Sequence, residues 1–141
     1  MPLFLRLVPW FSRLVLLAVT VLLGLISSKF IIDPVGAAAA SDMTLGSHLA
    51  ITNMRASFGA FPLGCAAVAF ACLVFPGQRQ SGLYLVAAVI GVVLAVRVYG
   101  VLLDGTLAEN IRVLTAEAVV LILSTFAILG EARRERWRLR S

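Results

Sequence analysis

The sequence predicts an all-α integral membrane protein, with four transmembrane helices in an antiparallel bundle. Three observations lead there. The chain of 141 residues is 61% apolar and 13% charged, whereas a soluble domain carries about a quarter charged residues; its mean hydropathy is +1.02. Four apolar windows approach the ~20 residues that a helix needs to cross the hydrocarbon core, and most connections between them are short. Finally, two opposite charges, Arg97 and Glu117, stand symmetrically about a turn formed by Gly105, Thr106, Leu107 and Ala108. An antiparallel hairpin brings them to nearly the same depth, and ionisable residues inside a span are the first place to look for a site.

Residues 1–13 hold Arg6, Pro9, Trp10 and Arg13, which suits the headgroup level, where arginine and tryptophan anchor a span. Span one is predicted over residues 14–32. A cleavable signal peptide competes with it, the small residues 37–40 offering a cleavage site. The span is preferred, because the apolar run is long for a signal core and the chain that follows is itself membrane-like. Asp33 and Pro34 end the span: proline lacks a donor and disfavours helix in the residue before it. The longest connection, residues 33–53, is expected to carry a short surface helix over the mouth of the bundle. It contains His48, the only histidine, with no second histidine or acidic cluster beside it, so no metal site is expected.

Span two is predicted over residues 54–75. Arg55 opens it, and Pro62 is expected to kink it. Ala56, Ala60, Gly64, Ala67 and Ala71 form a small-residue stripe, which lets a second backbone approach closely in lipid. Cys65 and Cys72 lie on this helix about 10.5 Å apart along its axis. That exceeds the ~7 Å Cα separation a disulfide tolerates, so both are expected to pack as small apolar groups, an inter-chain bridge or a metal role being the lesser alternative. Residues 76–81, with Arg79, make a tight turn.

Span three covers residues 82–103. Ala87, Gly91 and Ala95 form a second small stripe, and Arg97 lies on another face with Ile90, Leu94, Val101 and Asp104. Span four covers residues 110–129, where Asn110, Glu117 and Ser124 recur every seven residues as one polar stripe. Gly130 is expected to end this helix, leaving a basic tail over residues 131–141.

The net charge is +5, and much of it sits in that tail, in Arg133, Arg134, Arg136, Arg138 and Arg140. Such a run can bind nucleic acid. The stronger reading is that arginines beside a final span stay cytoplasmic and touch anionic lipid; Glu131, Glu135 and the shortness of the tail favour it. Arg6, Arg13 and Arg79 fall on the same side, whereas Lys29, Arg55 and Arg112 lie near the other, with Asp33, Asp42, Asp104 and Glu109. The positive-inside rule therefore places both termini in the cytoplasm.

Three stretches, RASFGAFPLG at 55–64, VRVYGVLLDG at 96–105 and LTAEAVVLIL at 114–123, together with the four-span layout, resemble the small bacterial membrane family catalogued as domain of unknown function 4345. The resemblance covers most of the chain. By position it implies Arg55, Arg97, Asp104, Gly105 and Glu117 as motif residues, and it implies no reaction. Ala60 departs from the pattern, which has a second glycine after Gly59, and this puts the contact made by span two in question.

No phosphate loop, metal-ligand spacing or nucleophile beside the single histidine is present in the sequence, so no catalytic residue, cofactor or metal is expected and an enzyme is disfavoured. The expected function is that of an uncharacterised, multi-pass inner-membrane protein acting as a non-enzymatic structural or accessory component, with a membrane-protein partner or a second copy and no nucleic acid. The alternative is a binder or carrier of a small amphipathic molecule, a quinone or lipid, in an outward-facing cleft lined by Arg55, Arg97, Asp104 and Glu117. A weaker third reading makes Glu117 the acid or base of a membrane enzyme. For Arg97, snorkelling outward toward Asp104 competes with an ion pair to Glu117.

Overall fold

The computed structural model describes residues 3–75 and 77–139, with side chains from residue 7 onward. Arg6, Pro76, Arg140 and Ser141, which entered the readings above, lie outside the described side chains. Every regular element is helical: α1 (Leu3–Ile32), α2 (Pro34–Ala39), α3 (His48–Met54), a π-helical turn (Arg55–Ala60), α4 (Phe61–Val74), α5 (Arg79–Asp104) and α6 (Leu107–Arg138). Among the described residues, four helical runs are long and apolar enough to cross a membrane: Leu7–Ile32, His48–Val74, Arg79–Asp104 and Leu107–Arg138.

Local chemistry accounts for the boundaries. α1 stops before Asp33 and Pro34, and Asp33 then serves α2: its Oδ1 accepts the Gly36 N–H at 2.9 Å, with Pro34 in the first turn. This is an N-cap with proline at its favoured position. Ser47 caps α3 in the same way, its Oγ accepting the Ala50 N–H at 3.1 Å. His48, immediately after that cap, is exposed. α5 ends at Gly105, which takes the left-handed conformation (φ 70°) while its N–H reaches the Val101 carbonyl at 3.0 Å. Glycine adopts this helix-terminating geometry without a side-chain clash.

The expected kink at Pro62 takes a specific form. The Phe61 N–H donates to the carbonyl of Ala56, five residues back. Pro62 has no N–H for the Phe58 carbonyl, and its ring would crowd that carbonyl in a regular α-helix. Widening the preceding turn by one residue removes the conflict.

The core is narrow and built from small or slim residues: Val15, Leu16 and Val19 of α1, Ala69 of α4, Leu83 and Val86 of α5, and Ala127 of α6. α1 packs along α4 and α6, and α5 packs along α6. Large apolar side chains such as Leu14, Leu25, Phe70, Val92, Leu102 and Phe126 point outward. In water this would be a severe liability; in lipid it is the expected outer surface.

On span two the small-residue stripe faces outward: Ala56, Ala60, Gly64 and Ala67 are exposed, while Gly59, Ala66 and Ala69 are buried. Gly59 makes a close contact, since a Cβ there would meet Ile31 Cγ1 at 2.6 Å; Ala60, the departure from the pattern, is exposed. The expected helix end at Gly130 is corrected, because α6 runs through it to Arg138. Gly130 is buried against Val8, whose methyl carbons would lie 3.1 and 3.2 Å from an added Cβ. It is present for the approach of α1, and the basic segment beyond it is helical.

Candidate functional site

α5 and α6 are joined by Gly105 and Thr106 and lie side by side from there. Arg97 stands two turns before the end of α5, and Glu117 nearly three turns into α6. The turn is close to their sequence midpoint, so the hairpin sets them opposite each other. Arg97 Nη2 donates to Glu117 Oε1 at 2.8 Å, and Nε donates to Oε1 and Oε2 at 3.0 and 2.9 Å. One edge of the planar guanidinium therefore grips both carboxylate oxygens, the strongest and most directional form of such a pair. The side chains retain 32% and 12% of their accessible surface, respectively.

The other side of the guanidinium is also engaged. Arg97 Nη1 donates to Asn110 Oδ1 at 3.4 Å. Asn110 in turn donates through Nδ2 to the Thr106 carbonyl at 3.0 Å and to Thr106 Oγ1 at 3.2 Å. Because Asn110 and Glu117 are seven residues apart, they share a face of α6, and Arg97 spans the two turns between them. The result is a polar ladder from Glu117 through Arg97 and Asn110 to the turn itself. Asn110 and Thr106 were missed as site residues, although the heptad stripe that includes Asn110 was visible. The missing inference was that an arginine on the facing helix is long enough to reach two members of the stripe.

The other two sequence candidates lie elsewhere. Asp104 is exposed at the last residue of α5, outside the ladder. Arg55 donates from Nε to the Ile31 carbonyl at 3.2 Å, satisfying an acceptor at the end of α1. A helix leaves its last carbonyls unpaired, and a cation is favourable there. The four residues thus divide into an ion pair, a helix cap and a surface acid. An opening of about 420 Å³ at the corner of α1 and α2, lined in part by Ser28, Lys29, Ile32 and Asp33, includes none of them.

Chemically, the ladder favours holding over turnover. Three charge-assisted hydrogen bonds occupy the face of Glu117 that meets α5. Removing either partner would strand a charge in an apolar bundle, which is costly.

No curated protein and no solved structure matches the chain. The model of one family, described as "Domain of unknown function (DUF4345)", matches residues 4–128, a stretch that includes the four helical runs up to Ile128 and every residue of the ladder, and on that match the chain belongs to this family.

Proposed function

We propose that the protein is a non-enzymatic accessory component of the bacterial inner membrane, a single four-span antiparallel domain with both termini in the cytoplasm and the Arg97–Glu117 pair as its internal lock. The observation that carries this reading is the guanidinium held from two sides: Glu117 accepts from Nε and Nη2, and Asn110 accepts from Nη1. A lock of this kind fixes the register of α5 on α6 without needing a substrate. The outward-facing Ala56, Ala60, Gly64 and Ala67 add an external surface on which the helix of a membrane partner, or of a second copy, can approach closely. The basic end of α6, with Arg133, Arg134, Arg136 and Arg138, lies against anionic lipid on the cytoplasmic side.

A second reading, a binder of a small amphipathic molecule, is favoured by the 420 Å³ opening beside Ser28, Lys29 and Asp33. Its polar rim and apolar wall suit a molecule with one polar end. Native mass spectrometry of the protein extracted in mild detergent separates the two. A co-purifying polypeptide or a homo-oligomer supports the accessory component. A stoichiometric quinone-sized adduct on a monomer overturns that reading in favour of the binder.

A further inference from the structure

The end of the molecule away from the ladder carries a second polar feature. The start of α1, the start of α5 and the last turns of α6 meet there: Val8 packs on Gly130, and Arg79 Nη1 donates to the Pro9 carbonyl at 3.4 Å. Between α5 and α6 lies a cleft of about 170 Å³, whose charged lining is Arg79, Glu131, Arg134, Glu135 and Arg138. Three cations and two anions face one small space. A purely electrostatic foothold on anionic lipid has no use for the two glutamates.

The hydrogen bonding inside the cleft is incomplete on both sides. Arg134 and Glu131 meet through a single long contact, Nη1 to Oε2 at 3.4 Å. Among the described residues, Arg134 Nε and Glu131 Oε1 are buried with no hydrogen-bond partner. One is a donor lacking an acceptor and the other an acceptor lacking a donor, on side chains with 20% and 11% of their surface exposed. Leaving such atoms unpaired is unfavourable. A ligand that completes them must offer both an anionic acceptor and a donor within a few ångströms.

The surroundings point to a lipid. Phe126 and Leu129, one to two turns earlier on α6, are exposed apolar residues. At this same end Trp10 lies exposed with the Arg13 guanidinium 5.3 Å from its ring centroid, and Trp137 is exposed on α6. Tryptophan and arginine at a helix end mark the headgroup layer. We propose that this cleft binds a phospholipid headgroup that carries a hydrogen-bond donor beside its phosphate. The phosphate sits on Arg79 and Arg134, and the donor sits on Glu131. The inference rests on the bilayer reading above and deepens it, because the cleft selects by headgroup chemistry and not by net charge.

Ethanolamine and choline lipids provide the comparison. Both are zwitterionic with the same phosphate, but methylation removes every donor from choline. The experiment is a native mass spectrometry titration of the full-length protein in detergent, using phosphatidylethanolamine, phosphatidylglycerol and phosphatidylcholine with identical acyl chains and inorganic phosphate as competitor. The expected result is one site with an affinity for phosphatidylethanolamine about tenfold above that for phosphatidylcholine, the size of one charge-assisted hydrogen bond. Phosphatidylglycerol, whose hydroxyls also donate, is expected to bind better than phosphatidylcholine. Glu131→Met should erase the preference, Arg134→Met should weaken all three lipids, and Arg136→Met should leave the ranking intact. Equal binding of ethanolamine and choline lipids overturns the proposal, as does displacement of lipid by millimolar phosphate. If Glu131→Met fails to fold, the wild-type ranking still decides. A chain that stays monodisperse without detergent would sink the bilayer reading, a result distinct from loss of headgroup preference.

Discussion

Arg97 and Glu117 meet edge to edge across two helices, with three hydrogen bonds of 2.8–3.0 Å between them. The two residues are coupled in energy only if each needs the other. Arg97→Met or Glu117→Gln alone is expected to cost about 3–5 kcal/mol, because the surviving group stays in an apolar bundle without its partner. The double variant is expected to cost less than the sum. Unfolding in mixed micelles measures all three, and a coupling below about 0.5 kcal/mol would mean that the charges act separately.

Asn110 is the weaker rung. Its contact to Arg97 is 3.4 Å long, and interhelical side-chain hydrogen bonds in membranes average about 0.6 kcal/mol. Asn110→Leu is therefore expected to lower stability by about that amount in the wild-type background, and by less once Arg97→Met has removed the donor. An equal loss in both backgrounds would assign the role of Asn110 to its bonds with Thr106.

Two glycines provide an internal comparison. A Cβ at Gly82 would lie 2.6 Å from Cys72 Cβ and 3.2 Å from Leu16 Cδ2, whereas at Gly64 nothing lies within 4 Å. Gly82→Ala is expected to destabilise by about 1–3 kcal/mol through overpacking. Gly64→Ala is expected to be neutral, or stabilising by up to about 1 kcal/mol from helix propensity. Thermal unfolding in detergent reads the difference, and equal effects would contradict the packing of α5 against α4 and α1.

The proposed topology predicts opposite outcomes for two reporter fusions. A fusion after Ser141 should report the cytoplasm, and one inserted within residues 36–47 should report the far side, because the arginine excess lies with the termini. A C-terminal reporter on the far side would reverse the assignment.

The four long helices were legible because hydropathy and length suffice to mark a span, and Asp33, Pro34 and Gly105 carry unambiguous boundary chemistry. The opposition of Arg97 and Glu117 was legible for a geometric reason: a two-residue connection leaves little freedom in register, so distance from the turn predicts depth. Rotation about the helix axis was harder to read. The stripe from Ala56 to Ala67 was legible as a stripe, but spacing does not tell whether it meets the core or the lipid, and it faces outward. Gly130 illustrates a different ambiguity, since glycine serves both helix termination and close packing, and only the presence of Val8 opposite it decides between them. Asp104 shares the face of Arg97 but lies two turns beyond it at the exposed end of α5, and Arg55 turns to the end of α1; charge alone carries no information about either depth or direction.

The π-helical turn at Arg55–Ala60 also bears on ancestry. A π turn fits one residue more than an α-helix into the same rise, so the turn is where a change of one residue in chain length would be absorbed. Here the surplus is tied to Pro62: a chain that lost one residue from this turn would recover regular α-helical spacing, but would then face the proline ring with the carbonyl of a closed helix. Deletion and proline replacement are therefore expected to occur together. Relatives shorter by one residue at 55–60 should lack proline at the position of Pro62, whereas those that keep the proline should keep the extra residue, Gly59 on Ile31, and an arginine positioned to cap the preceding helix.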